Sequence, residues 1–301
     1  MVEAHERERK QRMEKQRIFI DDILSNENMN RAYKQVIKNK GAAGIDGMEC
    51  NDLLSHLKVN GHQLRESIRN QSYKPMPVKR VEIPKDNGSK RKLGIPTVTD
   101  RMIQQAAAQV LTPIYERKFH TNSYGFRPGK SAQQAVLKAA EYMNEGYNWV
   151  VDIDLEKFFD TVEHDKMISI LNKEIKDGKT LSLIRKFLAS GVMVGEQMEE
   201  TEIGTPQGGN ISPLLANILL NELDWELESR GLRFVRYADD CIILVRSEKA
   251  ATRVMKSVTK YIENVLRLKV NKDKSRIGRP TEIQYLGFAF YYQFQEKKYR
   301  M

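Results

Sequence analysis

Phe234-Val235-Arg236-Tyr237-Ala238-Asp239-Asp240-Cys241-Ile242-Ile243-Leu244-Val245 reads as two short apolar strands, Phe234 to Tyr237 and Cys241 to Val245, joined through Ala238-Asp239-Asp240. Paired aspartates in a turn usually mean only that Asp tolerates turn geometry. Here apolar strands crowd the turn from both sides, and acids so placed are unfavourable unless a cation or hydrogen bonds compensate them. The hairpin is therefore read as a means of presenting carboxylates.

Upstream, Trp149 to Leu155 is a further short apolar strand, and its Asp152 and Asp154 face one side because strand side chains alternate. Asp154 and Asp239 are 85 residues apart, so the fold has to bring the two strands together. Carboxylates on rigid strand ends suit phosphoryl transfer to a primer hydroxyl, in which two divalent ions about 3.5 to 4 Å apart stabilise the attacking and leaving oxygens. Mg²⁺ takes hard oxygen ligands and keeps several waters, so a few aspartates suffice.

The charge distribution points to a polyanion. Of the net charge of +10 over 301 residues, the segment from Gly61 to Lys130 holds 14 Lys and Arg against 5 Asp and Glu, a net +9. A uniformly solvated basic surface would spread that excess; concentration in one segment favours nucleic acid. Cys50 and Cys241 have no partner at metal-ligand or redox spacing, and no apolar run has the length of a signal peptide or a membrane span. A reducing, cytoplasmic setting without a membrane partner is expected.

Around these features the chain is mostly helical. A charged helix is expected from Glu3 to Leu24, then a loop, Asn39 to Gly47, with three glycines. Val78 to Pro84 and Arg91 to Pro96 flank Asp86-Asn87-Gly88 as a hairpin with a basic tip. Helices are expected from Asp100, read as a cap, to Phe119, from Ser131 onward, from His164 to Ser190, from Ile211 to Arg230 and from Ala250 to Leu266, with a closing strand from Tyr285 to Tyr292.

Tyr237-Ala238-Asp239-Asp240 resembles the catalytic signature of reverse transcriptases, and its neighbours agree in order and spacing. Asp154-Leu155-Glu156-Lys157-Phe158-Phe159-Asp160 resembles that family's first catalytic motif, and Thr205-Pro206-Gln207-Gly208-Gly209 through Asn217 resembles the motif between them. Val270 to Ser275 and Tyr285-Leu286-Gly287-Phe288 look like later palm motifs. Gly41 to Gly47, Val81 to Lys85, Arg91 to Thr97 and Ser123 to Gly129 resemble the bacterial group II intron branch.

The resemblance implies an α+β right-hand polymerase fold, with an antiparallel palm sheet packed on helices and a basic fingers subdomain. It divides the chain into an N-terminal helical extension (1–38), fingers with early palm elements (39–149) and a mainly palm region (150–301) with a C-terminal primer-contact strand. Such proteins continue into a helical thumb, and a chain stopping at Met301 is expected to hold the thumb truncated or not at all.

By the same resemblance, Asp154, Asp239 and Asp240 would hold two Mg²⁺ ions, for which Mn²⁺ can substitute, and Lys274 would protonate the departing pyrophosphate. Lys79, Lys85 and Arg91 would hold the incoming triphosphate, Phe159 would exclude a ribose 2′-hydroxyl, and Gln207 would lie near the nucleotide. Gly41, Gly44, Arg127, Gly208, Gly209 and Phe288 would meet template or primer.

The implied partners are group II intron RNA, a DNA primer or target and dNTPs; association of two copies of the chain, a homodimer, stays open. Plainer readings stand beside these: surface charge for each lysine taken singly, a core aromatic for Phe159. A non-catalytic RNA-binding maturase scaffold is the competing class, and retrons and diversity-generating elements carry related palms. A phosphate-loop hydrolase is disfavoured, because Asp177-Gly178-Lys179-Thr180 lacks the upstream glycine.

Overall fold

The computed structural model describes residues 19–84, 88, 90–195, 197–199, 203–204 and 208–301, without the side chain of Arg91. The charged helix expected from Glu3 falls outside these residues up to residue 18; the described part opens with a short helix, Ile20–Leu24. Two sheets organise the rest. Their strands are β1 (Val78–Pro84), β2 (Lys90–Ile95), β3 (Trp149–Ile153), β4 (Val192–Val194), β5 (Gln197–Glu199), β6 (Arg233–Tyr237), β7 (Asp240–Val245) and β8 (Arg276–Gly278). The chain gathers into two compact units, one from residues 1–117 and 167–212, the other from 118–166 and 213–301.

The first unit is a helical body carrying a small sheet in the order β2-β1-β4-β5. β1 and β2 pair antiparallel, from Lys79 opposite Ile95 to Pro84 opposite Lys90, as the turn chemistry predicts. Within β1 only Val78, at its start, is buried and Glu82 to Pro84 are exposed, so the far end of the hairpin projects into solvent. The core runs along the helix Val98–Tyr115, whose Met102, Ile103, Ala106, Ala107 and Leu111 are fully buried against the helix Asn26–Asn39. Buried Asn28 ties that pair to the first helix: its Nδ2 donates to Ile23 O and Ala106 O, both at 2.9 Å. Thr97, rather than Asp100, caps the helix. Thr97 Oγ1 accepts from Asp100 N at 3.1 Å and donates to Asp100 Oδ2 at 2.6 Å, so the carboxylate expected to be the cap lies inside the first turn and answers the true cap reciprocally.

The second unit is an antiparallel sheet, β6-β7-β3-β8, with helices on both faces. Alternation assigns the faces. Val150, Val235, Ile242 and Leu244 pack on Ala135, Val136, Ala139 and Met143 of the helix Ala132–Asn144, which opens on Ser131 as expected. Arg236, one residue on from Val235, points the other way and bonds Asp224 on the helix Ser212–Ser229. The helix Glu248–Asn264 touches that helix through Tyr261 OH, which donates to Glu222 O at 3.3 Å, and lies along β3, β7 and β8.

Two expected elements are divided. The helix expected over 164–190 is His164–Leu171 and Gly178–Leu188. Between them Asp177 accepts from Lys179 N at 3.3 Å and Thr180 N at 3.1 Å, so a side chain that competes for backbone donors starts a new helix. The strand expected over 285–292 folds back on itself: Tyr285 pairs with Phe288 across Leu286-Gly287, whose φ values of +52° and +81° suit a two-residue hairpin turn. No helix among the described residues is long and apolar enough to cross a membrane.

Candidate active site

The second unit gathers four carboxylates at one end of its sheet. β3 lies between β7 and β8, with Ile153 opposite Cys241 and Asp152 opposite Ile242. Continuing that register by one residue sets Asp154 opposite Asp240, on the face that carries Asp152. Tyr237 pairs with Asp240, which leaves Ala238 and Asp239 as the two-residue turn of the hairpin. The strand ends therefore do what the 85-residue separation demanded of the fold.

The cluster is electrostatically crowded. Asp240 reaches solvent, yet partial burial, and then the charges of Asp239, Asp154 and Asp152, push its carboxyl up to about 6, with Lys274 opposing. Burial also raises Asp152, against the pull of Arg276, whose Nε stands 3.5 Å from Asp152 Oδ2. Lys274 Nζ lies 3.8 Å from Asp154 Oδ2. Its position is fixed by the turn after the Leu155–Val270 bridge, where Asn271 N donates to Asp154 O at 2.9 Å and Asp154 N donates to Ser275 Oγ at 3.0 Å.

Among the described residues no three His, Cys, Asp or Glu side chains form a ready-made cation cage. Hard carboxylate oxygens crowding one another are nonetheless the donor set a divalent ion fits, because Mg²⁺ takes much of its shell from water and substrate phosphate.

The turn itself is held from beneath by residues that the sequence did not single out. Arg236 is wholly buried and spends its guanidinium on four partners. Nε and Nη2 donate to the two oxygens of Asp224 at 2.7 and 2.6 Å, Nη1 to Asn217 Oδ1 at 2.9 Å and Ala238 O at 2.8 Å, and Nη2 also to Ser123 Oγ at 2.7 Å. Asn217 Nδ2 in turn donates to Gly125 O at 2.8 Å. Gly125 lies against the turn so closely that a Cβ there would stand 2.2 Å from Ala238 N. Ala238 adopts φ +56°, uncommon for a residue with a side chain, and these contacts hold it there.

The other expected site residues divide between the units. In the second, Phe158 is 2% exposed and fills the core, while its neighbour Phe159 is half-buried, ring centroids 5.1 Å apart, on the short helix that follows Asp154. Arg127 Nη1 donates to His120 O and Ser123 O, both at 2.6 Å, and its guanidinium lies 5.3 Å from the Phe119 ring, so it buttresses its own loop. Phe288 is partly exposed on the Tyr285–Phe288 hairpin.

In the first unit, Lys79 is exposed on β1. Lys85, Gln207 and the side chain of Arg91 lie outside the described residues. The glycines expected near the template make their close approaches to protein. A Cβ on Gly44 would sit 2.7 Å from Thr97 Cα, one on Gly41 would collide with the Arg101 guanidinium, and one on Gly209 would sit 2.7 Å from Gln104 Oε1. Gly208, at φ +114°, packs on the Gly94 carbonyl of β2.

Comparison with known proteins bears on this arrangement. The family described as "Reverse transcriptase (RNA-dependent DNA polymerase)" matches residues 83–290. Protein YkfC of Escherichia coli (strain K12) is 32% identical, over 89% of this chain and 80% of its own length. Group II intron-encoded protein LtrA of Lactococcus lactis subsp. cremoris is also 32% identical, over 85% of this chain and 54% of its own, so the chain spans about half the length of that relative. Among solved structures, a partial Cas6-RT-Cas1–Cas2 complex has a chain 26% identical over 81% of this one and 42% of itself, at a TM-score of 0.51. A telomerase from Candida albicans, in complex with a fragment of telomeric RNA, is similar in fold alone, with 13% identity and a TM-score of 0.55 over 73% of this chain and 44% of its own.

Proposed function

The chain belongs to the reverse transcriptase family, and we propose that it is of the branch encoded by group II introns, that it extends a DNA primer on intron RNA by nucleotidyl transfer, and that it binds that RNA to assist splicing and retrohoming. The observation that carries the reading is the crowding of Asp152, Asp154, Asp239 and Asp240 at one end of the β6-β7-β3-β8 sheet, where burial first and then the neighbouring carboxylates raise Asp240 to about 6.

Divalent cations, Mg²⁺ with Mn²⁺ able to substitute, would be held by Asp154 and Asp239 with help from Asp240, and would supply charge stabilisation at the attacking and leaving oxygens. The protein's own contribution is positional. Arg236 and Gly125 fix the turn that carries Asp239, so its carboxylate needs no reorganisation when substrate arrives. Lys274, 3.8 Å from Asp154, balances the cluster's charge and can give a proton from Nζ to the departing pyrophosphate. Phe159, left half-exposed because Phe158 takes the core position, is suited to press on the sugar and exclude a 2′-hydroxyl. Lys79, Lys85 and Arg91, on or beside an exposed hairpin, are suited to grip a triphosphate, with Gln207 beside the base. Gly41, Gly44, Gly208, Gly209, Arg127 and Phe288 would border the path of template and primer.

The test is extension of a DNA primer on an RNA template with Mg²⁺ and dNTPs, by this chain and by Asp239→Ala. DNA synthesis that depends on the aspartate establishes the polymerase. If neither extends while both bind structured intron RNA tightly, the RNA-binding scaffold replaces it; the concentration of net +9 between Gly61 and Lys130 is the feature that favours that second reading.

A further inference from the structure

The helix Glu248–Asn264 turns Ala251, Val258 and Ile262 into the core of the second unit. On its outward side stand Lys249, Arg253, Lys256 and Lys260, all exposed. Their spacing of four, three and four residues brings them within roughly 60° of one another around the axis, almost opposite the buried line. Over the 11 steps from Lys249 to Lys260 they form a straight file about 16 Å long. Of the helix's two carboxylates, Glu248 stands to one side of the file and Glu263, three residues beyond Lys260, closes its end, so no acid lies within the file.

An ordinary solvated helix face would mix signs, because like charges three or four apart destabilise a helix and opposite ones stabilise it. Elsewhere the helices of this protein follow that rule: Arg69 pairs with Glu66, Lys138 with Glu141 and, at a helix end, Arg230 with Glu226. None of the four cations in the file has such a partner among the described residues. The repulsion is left standing, and a run of anions laid along the helix would relieve it.

We propose that this face is a docking track for the phosphate backbone of RNA, a second binding surface apart from the carboxylate cluster and from the basic segment between Gly61 and Lys130; that the polyanion is RNA rests on the function proposed above. Charge complementarity selects the occupant. The file is too long for one small anion, whereas a nucleic acid duplex presents a charge about every 1.7 Å of its axis.

The experiment compares two variants of equal net charge. One is Lys249→Gln, Arg253→Gln, Lys256→Gln and Lys260→Gln combined; the other is Lys138→Gln, Lys179→Gln, Arg230→Gln and Arg300→Gln combined, all outside both the file and the segment from Gly61 to Lys130. Binding to an in vitro transcribed group II intron RNA is measured over a KCl series. Loss of four phosphate contacts lowers the slope of log affinity against log salt by about three, and weakens binding at least ~10-fold at physiological salt, while the matched variant stays within about one unit of slope. Should the fourfold variant unfold on circular dichroism, the single changes Lys256→Gln and Lys260→Gln are each expected to lower the slope by about 0.7 to 0.9.

An unchanged slope overturns the proposal, as does an equal fall in both variants, or a file that matters for binding anionic vesicles and not RNA. A chain that fails to extend a primer, yet binds RNA through the file, overturns the polymerase reading and supports this one.

Discussion

The Arg236 guanidinium and the Asp224 carboxylate meet in a doubly hydrogen-bonded pair, at 2.7 and 2.6 Å, with both side chains at 0% exposure. Breaking such a pair from one side strands a buried charge, which costs about 3–5 kcal/mol, whereas replacing both partners by apolar groups can be nearly neutral. Arg236→Met is therefore expected to lower unfolding stability by that amount, and Arg236→Met with Asp224→Leu to recover most of it in urea titrations. Primer extension should stay low in the double variant, because Ala238 O has still lost its donor. A single variant as stable as the parent chain would refute the role given to the pair.

Gly125 and the turn formed by Ala238 and Asp239 make a second linked test. A methyl group at position 125 has to displace Ala238, so Gly125→Ala should cost about 1–3 kcal/mol, as overpacked sites do. It should also reduce extension, since the same shift carries Asp239. Finding full activity together with parent-like melting would show that the loop yields instead of the turn.

Cation binding should be visible without turnover. A ligand that binds only the folded state raises the melting temperature. Mg²⁺ is expected to stabilise the parent chain, and to do so much less in Asp154→Asn with Asp239→Asn. In the absence of Mg²⁺, Asp240→Asn should melt higher than the parent chain, because it takes one charge out of a repelling group. A Mg²⁺ response equal in parent and double variant would place the ion elsewhere.

Adjacent phenylalanines should separate stability from selectivity. Phe158→Ala empties a core position and should cost about 3–5 kcal/mol in chemical unfolding. Phe159→Val, at the half-exposed neighbour, should leave stability nearly as it is while letting ribonucleotides compete with dNTPs. Unaltered discrimination in the Phe159 variant would remove that ring from the nucleotide site.

The hairpin carrying Asp239 and Asp240, the strand carrying Asp152 and Asp154, and the projecting β1-β2 pair were legible from their apolar patterning, reinforced in the two hairpins by a turn signal. What was not legible depends on competition between local bonds. Asp177 divides a stretch whose apolar spacing is helical throughout, and Leu286-Gly287 reverses a stretch that composition alone renders as one strand. Thr97 and Asp100 are both cap formers three residues apart, and only the geometry says which one closes the turn. Arg236 and Asp224 escaped notice for a different reason. A charged residue alternating with apolar ones in a strand looks solvent-facing, and an aspartate within a long helix looks like surface; their burial becomes evident only when the strand is laid on the helix.

The place of β3 in its sheet has a consequence for biosynthesis. Val150, Val151 and Ile153 are buried between β7 and β8, yet their partners begin at Asp240 and Arg276, some ninety and more residues later. At a translation rate of about 5–20 residues per second, the nascent strand waits roughly 5 to 20 s for its first neighbour. Through that interval it offers an unpaired apolar edge to whatever is nearby. A ribosome pause downstream of β3 would lengthen that exposure and delay assembly of the acidic cluster.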